Sequence, residues 1–151
     1  MRLARKLGTV TYRSAEEWQE KFGRRPGRFE TNNFSGDFAV LDYLEQQADK
    51  FVGSFDANCY LYLSRAMDRF DLATHGATRQ IAAGSGLTAV LIIGTETDML
   101  FRIEEQAQLA ADFAAANIST QFVTVKSLAG HDAFLADPAP FRDALVVFLR
   151  P

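Results

Sequence analysis

The sequence has a single cysteine, Cys59, among its 151 residues. One cysteine excludes an internal disulfide and gives no metal-binding spacing, and the aromatic and aliphatic residues 60–63 that follow it predict a packed thiol. The longest strongly apolar run is about seven residues, far below the roughly 20 that a membrane-spanning helix needs. The N-terminus also lacks the apolar core of a secretion signal, so a cytoplasmic protein is expected.

Basic residues are too few for a nucleic-acid-binding surface. The net charge is −3, no basic stripe is present, and 48% of the residues are hydrophobic. This composition is typical of a soluble globular protein that binds neither nucleic acids nor membranes. The arginine cluster at residues 24–28 is expected to be solvated surface.

A glycine-flanked serine is missing as well. Many serine enzymes carry the nucleophile on a sharp strand-to-helix turn, with glycines two residues to either side. The only glycines four residues apart, Gly23 and Gly27, enclose Arg25, and the glycines around Ser85 lie at the wrong distance. These 151 residues therefore contain no nucleophile elbow, and Ser85 is expected to lie in a flexible loop.

A strand–helix–strand unit is predicted between residues 87 and 125. Residues 87–93 form an apolar run with glycine on both sides, which is typical of a buried parallel strand. Apolar residues then recur at helical spacing from Ile103 to Ala114, and residues 120–125 alternate polar with apolar side chains like a second strand. The pattern predicts an α/β fold.

An acidic residue and a histidine follow the two predicted strands. Asp98 comes after the first strand and His131 after the second, so both should lie at the carboxyl edge of the sheet, where open α/β folds bind ligands. Acid followed by histidine is also the order of the last two members of the Ser–Asp–His triad in α/β-hydrolases. We therefore predict that the Asp98 carboxylate and the His131 imidazole hydrogen-bond as a catalytic pair.

Alternative roles exist for these residues. Asp98 could cap the helix that follows it, Glu96 could be the orienting acid instead, and His131 could be a turn residue before a short helix. The second histidine, His75, lies at a predicted helix end, where it would interact favourably with the helix dipole.

Four separated motifs resemble the C-terminal portion of the homoserine O-acyltransferases. They lie, in the order of that family, at residues 3–14 (LARKLGTVTYRS), 55–68 (FDANCYLYLSRAMD), 97–101 (TDMLF) and 130–135 (GHDAFL). Members of the family have an α/β-hydrolase fold with a helical lid, and they transfer an acetyl or succinyl group from coenzyme A to the hydroxyl of homoserine. The resemblance covers nearly the whole chain. It does not include the family's N-terminal half, which carries the serine nucleophile.

The resemblance implies three substrate-binding residues besides the catalytic Asp98 and His131. Arg5 and Tyr12 match the lid arginine and tyrosine that line the amino-acid pocket, and Asp132 matches the carboxylate that holds the substrate amine. An arginine fork and an acid suit the two charges of an amino acid. Solvated helix surface for Arg5, core for Tyr12 and an N-cap for Asp132 are the alternatives.

The resemblance also implies the domain organisation. Residues 1–75 would form a helical lid subdomain, residues 76–86 a linker, and residues 87–151 the C-terminal part of the α/β-hydrolase core. Within the last segment, the residues from Pro138 to Leu149 predict an amphipathic helix that packs back on the sheet.

Several helix starts and one core stripe are predicted in the first 75 residues. Ser14 opens a capping box, and Asp37 and Asp56 are predicted N-caps. An apolar stripe at three- and four-residue steps is assigned to the core, comprising Tyr60, Leu63, Met67 and Phe70.

Two strands are too few for a stable parallel sheet, so a fragment of a homoserine O-acyltransferase, inactive alone, is the first hypothesis. Acetyl- or succinyl-CoA would then be a co-substrate, no cofactor or metal would be bound, and the full-length enzyme would be a homodimer in methionine biosynthesis. A serine O-acyltransferase or an esterase of the same fold is the second hypothesis. The third is a non-catalytic module that binds a ligand or a partner.

Overall fold

The structure is a computed structural model that describes residues 1–27, 38–72, 74 and 86–150. The chain divides into two compact units, Met1–Arg69 and Phe70–Pro151. The predictions for Asp37, His75 and Ser85 lie outside the described residues. None of the described helices is both long enough and apolar enough to cross a membrane.

Helices make up the first unit. They are α1 (Arg2–Thr11), α2 (Ala15–Lys21), α3 (Ala39–Ser54) and α4 (Ala57–Asp68). α1 packs against α3. The rings of Trp18 and Phe22 lie beside that of Tyr43, with centroids 6.0 and 5.1 Å away. Aromatic pairs at such distances stabilise a fold beyond the area that they bury, so they join α2 to α3.

Side-chain caps fix the starts of α2 and α4, as the sequence predicted. Ser14 and Asp56 each accept a hydrogen bond from the backbone amide three residues later, at 3.0 and 2.9 Å. α3 begins differently, because Phe38 occupies its N-cap position without a side-chain cap bond.

The apolar stripe that starts in α4 and ends at Phe70 is mostly exposed, so its assignment to the core was wrong. Leu63, Met67 and Phe70 are 57%, 70% and 65% exposed, while Tyr60 is half-buried against two phenylalanine rings. The thiol of Cys59 is exposed too, which corrects the prediction that it is packed. Helical spacing shows which residues share a face of a helix but carries no information about what covers that face.

The second unit holds the predicted strand–helix–strand arrangement. Its elements are β1 (Ala89–Thr95), α5 (Ile103–Ala115), β2 (Ser119–Val125), a 3₁₀ turn (Gly130–Asp132), α6 (Ala133–Ala136) and α7 (Ala139–Phe148). β1 and β2 pair in parallel, with Ala89 opposite Ser119 and Thr95 opposite Val125. The final helix, α7, contacts both strands, as predicted.

The first strand begins two residues later than the apolar run predicted, and it includes Gly94. A Cβ atom at Gly94 would lie 2.5 Å from Cδ1 of Ile103, the first residue of α5. Glycine at this position therefore allows the helix to approach the strand closely, which explains a glycine inside a strand.

Charged side chains connect α1 to α3. Arg2 and Lys6 of α1 both contact the Glu45 carboxylate, and Arg2 also contacts Asp49. The hydrogen bond from Lys6 is the main cause that lowers the pKa of Glu45 below its ordinary value of 4.5, with a further contribution from Arg2. The Glu45 side chain is 50% exposed, so water and salt screen this interaction.

Replacing the buried Ser14 by alanine is expected to lower the free energy of unfolding by about 1 kcal/mol, because α2 loses its N-cap. Ser54→Ala is the matched control, since the exposed Ser54 hydroxyl bonds back to the Lys50 and Phe51 carbonyls within the last turn of α3. Urea unfolding followed by circular dichroism measures both variants. Equal losses in the two variants would contradict the assigned cap.

Glu45→Gln tests the electrostatic link between α1 and α3. Because folding lowers the pKa of Glu45, the stabilisation is present above the unfolded-state pKa and is lost as the pH falls through the folded-state pKa. The melting temperature of wild type should therefore exceed that of Glu45→Gln near pH 7 at low salt, and the gap should shrink by about pH 3. Glu20→Gln, at an exposed glutamate of α2, is the control. A gap for Glu45→Gln that is independent of pH would contradict the link.

Candidate acid–base site at the ends of the parallel strands

The loop after β1 orients the Asp98 carboxylate. The backbone amide of Asp98 donates to the Thr95 carbonyl at 3.1 Å. The Oδ1 atom of Asp98 accepts hydrogen bonds from the amides of Leu100 and Phe101 at 2.8 and 3.0 Å. An aspartate that bonds to backbone amides two and three residues later stabilises a turn. Oδ1 is therefore fixed by the loop itself, which determines where Oδ2 points.

The segment after β2 brings His131 to that second oxygen. Gly130 adopts a left-handed backbone with φ of +60° at the start of the 3₁₀ turn, a conformation that favours glycine. Nδ1 of His131 lies 3.0 Å from Oδ2 of Asp98. The side chains of Asp98 and His131 are only 7% and 21% exposed. The hydrogen bond that the sequence predicted between these two residues is present.

This geometry also addresses the alternatives for Asp98. Arg102, not Asp98, occupies the N-cap position of α5, so Asp98 organises the turn before the helix instead of capping it. Glu96 is exposed, and its backbone amide continues the strand pairing by donating to the Val125 carbonyl at 3.2 Å. Of these two acidic residues, Asp98 is therefore the one whose carboxylate contacts the His131 ring.

Contacts that sequence reasoning missed support the pair. The Thr97 hydroxyl donates to the Ser127 carbonyl at 2.6 Å, and the ring of Phe101 meets the His131 imidazole edge-on, with centroids 4.9 Å apart. Nε2 of Gln106 donates to the Phe101 carbonyl at 2.7 Å, which ties the loop to α5. The sequence offered one signal for these contacts, because Thr97 and Phe101 are the first and last residues of the TDMLF motif.

Asp132 directly follows His131 and is half-buried. It stands at the N-cap position of α6, but its side chain forms no cap hydrogen bond there. The alternative role of Asp132, a side-chain cap of α6, is therefore not observed. Its predicted role in binding a substrate amine stays a prediction.

Arg5 and Tyr12 belong to the first unit. The guanidinium carbon of Arg5 lies 5.0 Å from the centre of the Phe51 ring, and the side chain is half-buried rather than extended into solvent. Its Nε atom is buried without a hydrogen-bond partner among the described residues. Tyr12 is half-buried at the C-terminal cap of α1. Substrate binding by either residue stays a prediction.

Known proteins with similar sequences share one name. No protein-family model matches the chain. Proteins named serine O-succinyltransferase are 45% identical in Xylella fastidiosa (strain M12) and 46% identical in Xanthomonas campestris pv. campestris (strain B100). Each match covers 99% of this chain but only 42% or 43% of the relative. The chain thus spans less than half the length of these curated relatives.

Solved structures are similar over the same share of their length. Esterase E22 matches with a TM-score of 0.79 at 21% identity, over 99% of this chain and 41% of the esterase. A homoserine O-acetyltransferase from Bacillus anthracis matches with a TM-score of 0.79 at 16% identity, over 99% of this chain and 40% of that protein. At such low identity, the two structures show the α/β-hydrolase fold alone. Taken with the sequence relatives, they show that the chain resembles the C-terminal portion of the homoserine O-acyltransferases and has part of the α/β-hydrolase fold.

Proposed function

We propose that this chain supplies the acid and the base of a Ser–Asp–His triad in an acyl-CoA-dependent O-acyltransferase. The observation that carries the proposal is the 3.0 Å contact between Nδ1 of His131 and Oδ2 of Asp98. The names of the sequence relatives support acyl transfer as the class of reaction. Because these residues contain no glycine-flanked serine elbow, the nucleophile is proposed to lie in another part of the complete protein.

The carboxylate has a defined task in this scheme. Oδ2 of Asp98 accepts a hydrogen bond from the protonated Nδ1 of His131 and so fixes the imidazole in the tautomer whose Nε2 atom acts as the base. The negative charge also stabilises the imidazolium that forms when Nε2 takes up a proton. Since Oδ1 is occupied by two backbone amides, the carboxylate is already oriented before substrate binds.

The reaction follows a ping-pong sequence. In the first half, Nε2 of His131 takes the proton of the serine hydroxyl as its oxygen attacks the thioester carbonyl. The carbon–sulfur bond breaks, and the proton passes to the leaving coenzyme A thiolate. In the second half, the same nitrogen takes the proton of the amino acid's hydroxyl, whose oxygen attacks the acyl-enzyme. The serine oxygen leaves and recovers the proton, so His131 serves both halves.

The acceptor is proposed to be an amino acid with a side-chain hydroxyl. Asp132 would bind its ammonium group, and Arg5, with Tyr12, its carboxylate. The guanidinium of Arg5, whose central carbon lies 5.0 Å from the centre of the Phe51 ring, supports this role, because a planar fork that stacks on an aromatic ring suits a carboxylate. Excluding water would favour acyl transfer over hydrolysis of the acyl-enzyme.

Two acceptors and two donors need to be separated by assay. The resemblance of the motifs implies homoserine, with acetyl- or succinyl-CoA as donor. The names of the sequence relatives favour serine and succinyl-CoA, and this pair is our first choice. The complete protein should be assayed with each donor and acceptor, and with a simple ester. Ester hydrolysis without any transfer would contradict the proposal in favour of an esterase.

Asp98→Asn tests the orienting role directly. Asparagine retains an oxygen that can accept from the two loop amides, but its amide would oppose the Nδ1 proton of His131. We expect kcat of the complete protein to fall on the order of 10⁴-fold, as the same change does in a serine protease triad. Asp143→Asn, on the exposed surface of α7, is the control. A kcat for Asp98→Asn within about tenfold of wild type would sink the triad assignment.

Arg5→Lys tests the acceptor site. Lysine keeps the positive charge but loses the planar fork that binds a carboxylate through two hydrogen bonds. The KM for the amino acid should rise roughly 10- to 100-fold, the effect of losing about 1.5 to 3 kcal/mol. The KM for the acyl-CoA donor should not change. Arg2→Lys is the matched control on the same helix, where the exposed Arg2 contacts Glu45 and Asp49. Equal effects of both changes would refute the assigned role.

A further inference from the structure

We propose that Thr97 is a positioning residue, which holds Asp98 and His131 at hydrogen-bonding distance through its own bond to Ser127. This inference rests on the function proposed above. The Thr97 hydroxyl donates to the Ser127 carbonyl at 2.6 Å. Thr97 directly precedes the acid, and Ser127 lies four residues before the base. The bond therefore joins the two segments that carry the pair.

Strand pairing alone does not fix these segments. The parallel pairing ends with Thr95 opposite Val125, and the Glu96 amide adds one further bond to the Val125 carbonyl. Beyond that point, one segment enters the Asp98 turn and the other leads to the 3₁₀ turn that carries His131. The Thr97 hydroxyl bond lies beyond the last paired residues, so it extends the connection between the strands to the level of the site.

The segment from Ser127 to His131 transmits this constraint. Ser127 is 9% exposed, and its hydroxyl accepts a hydrogen bond from the Ala129 amide at 3.3 Å. Ala129 and Gly130 are also buried, and Gly130 is held at a φ of +60°. With these residues fixed, the position of the Ser127 carbonyl determines the position of the imidazole.

Loss of the Thr97 hydroxyl is expected to slow the chemical steps and not to weaken substrate binding. Displacement of a catalytic group by about 1 Å can reduce a rate on the order of 10²-fold. The Nδ1 to Oδ2 distance of 3.0 Å leaves little room for such a shift before the hydrogen bond is lost. Loss of the Thr97 bond should therefore lower kcat and leave the KM of both substrates unchanged.

The test compares Thr97→Val, Thr97→Ser and Thr124→Val in the complete protein. Valine keeps the shape of threonine and removes the hydroxyl, serine restores it, and Thr124 is an exposed residue of β2. Rates are expressed per active site titrated by the burst of coenzyme A, so unfolded molecules do not count. We expect kcat of Thr97→Val to fall on the order of 10²-fold, with the other two variants close to wild type. A kcat of Thr97→Val near wild type, or an equal loss in Thr97→Ser, would overturn the proposal.

A second readout separates this proposal from the proposed function. The proton on Nδ1 of His131 should give a downfield NMR resonance in wild type and Thr97→Ser, and Thr97→Val should lack it. If wild type transfers no acyl group, the proposed function fails, and the resonance still decides the role of Thr97. Persistence of the resonance in Thr97→Val would show that Thr97 does not position the pair.

Discussion

The Asp98 carboxylate is the constraint on which the candidate site depends. One oxygen accepts hydrogen bonds from two backbone amides of its own loop, and the other lies 3.0 Å from Nδ1 of His131. The bonds from the two amides to Oδ1 hold the carboxylate in the orientation that directs Oδ2 toward His131. A side chain that is oriented before substrate binds needs no reorganisation during the reaction, which is the main advantage of such a site.

The parallel sheet brings this carboxylate to its partner. The two strands pair over their full length from Ala89 opposite Ser119 onwards, so their carboxyl ends stop at the same level. Gly94 lets α5 pack closely on β1, and Gln106 of that helix bonds to the Phe101 carbonyl of the acid loop. Strand register, helix packing and loop geometry thus together position the side chains of Asp98 and His131.

Much of this arrangement could be predicted from the sequence because it depends on repeating patterns. The apolar run before Gly94 and the alternation before Val125 predict two strands, and the order of Asp98 and His131 places both at one sheet edge. The turn at Asp98 was harder to predict, because an aspartate three to five residues before a helix can either cap it or form its own turn. The structure decides this by placing Arg102 at the cap.

Other features depend on contacts between residues far apart in the chain. The bond between Thr97 and Ser127 joins residues 30 positions apart and follows no local pattern. The exposure of Met67 and Cys59 was equally hidden, because spacing along α4 does not reveal what covers it. Both cases show the same limit: periodicity predicts elements and faces, whereas the neighbours of a side chain are determined by the folded chain.

The most direct test of the acid–base assignment is to mix the complete protein with radiolabelled succinyl-CoA in the absence of an acceptor. With His131 as the base, one acyl group per chain should become bound as an ester, with a burst of free coenzyme A, and His131→Ala should show neither. Equal labelling of wild type and His131→Ala would contradict the assignment of His131 as the base.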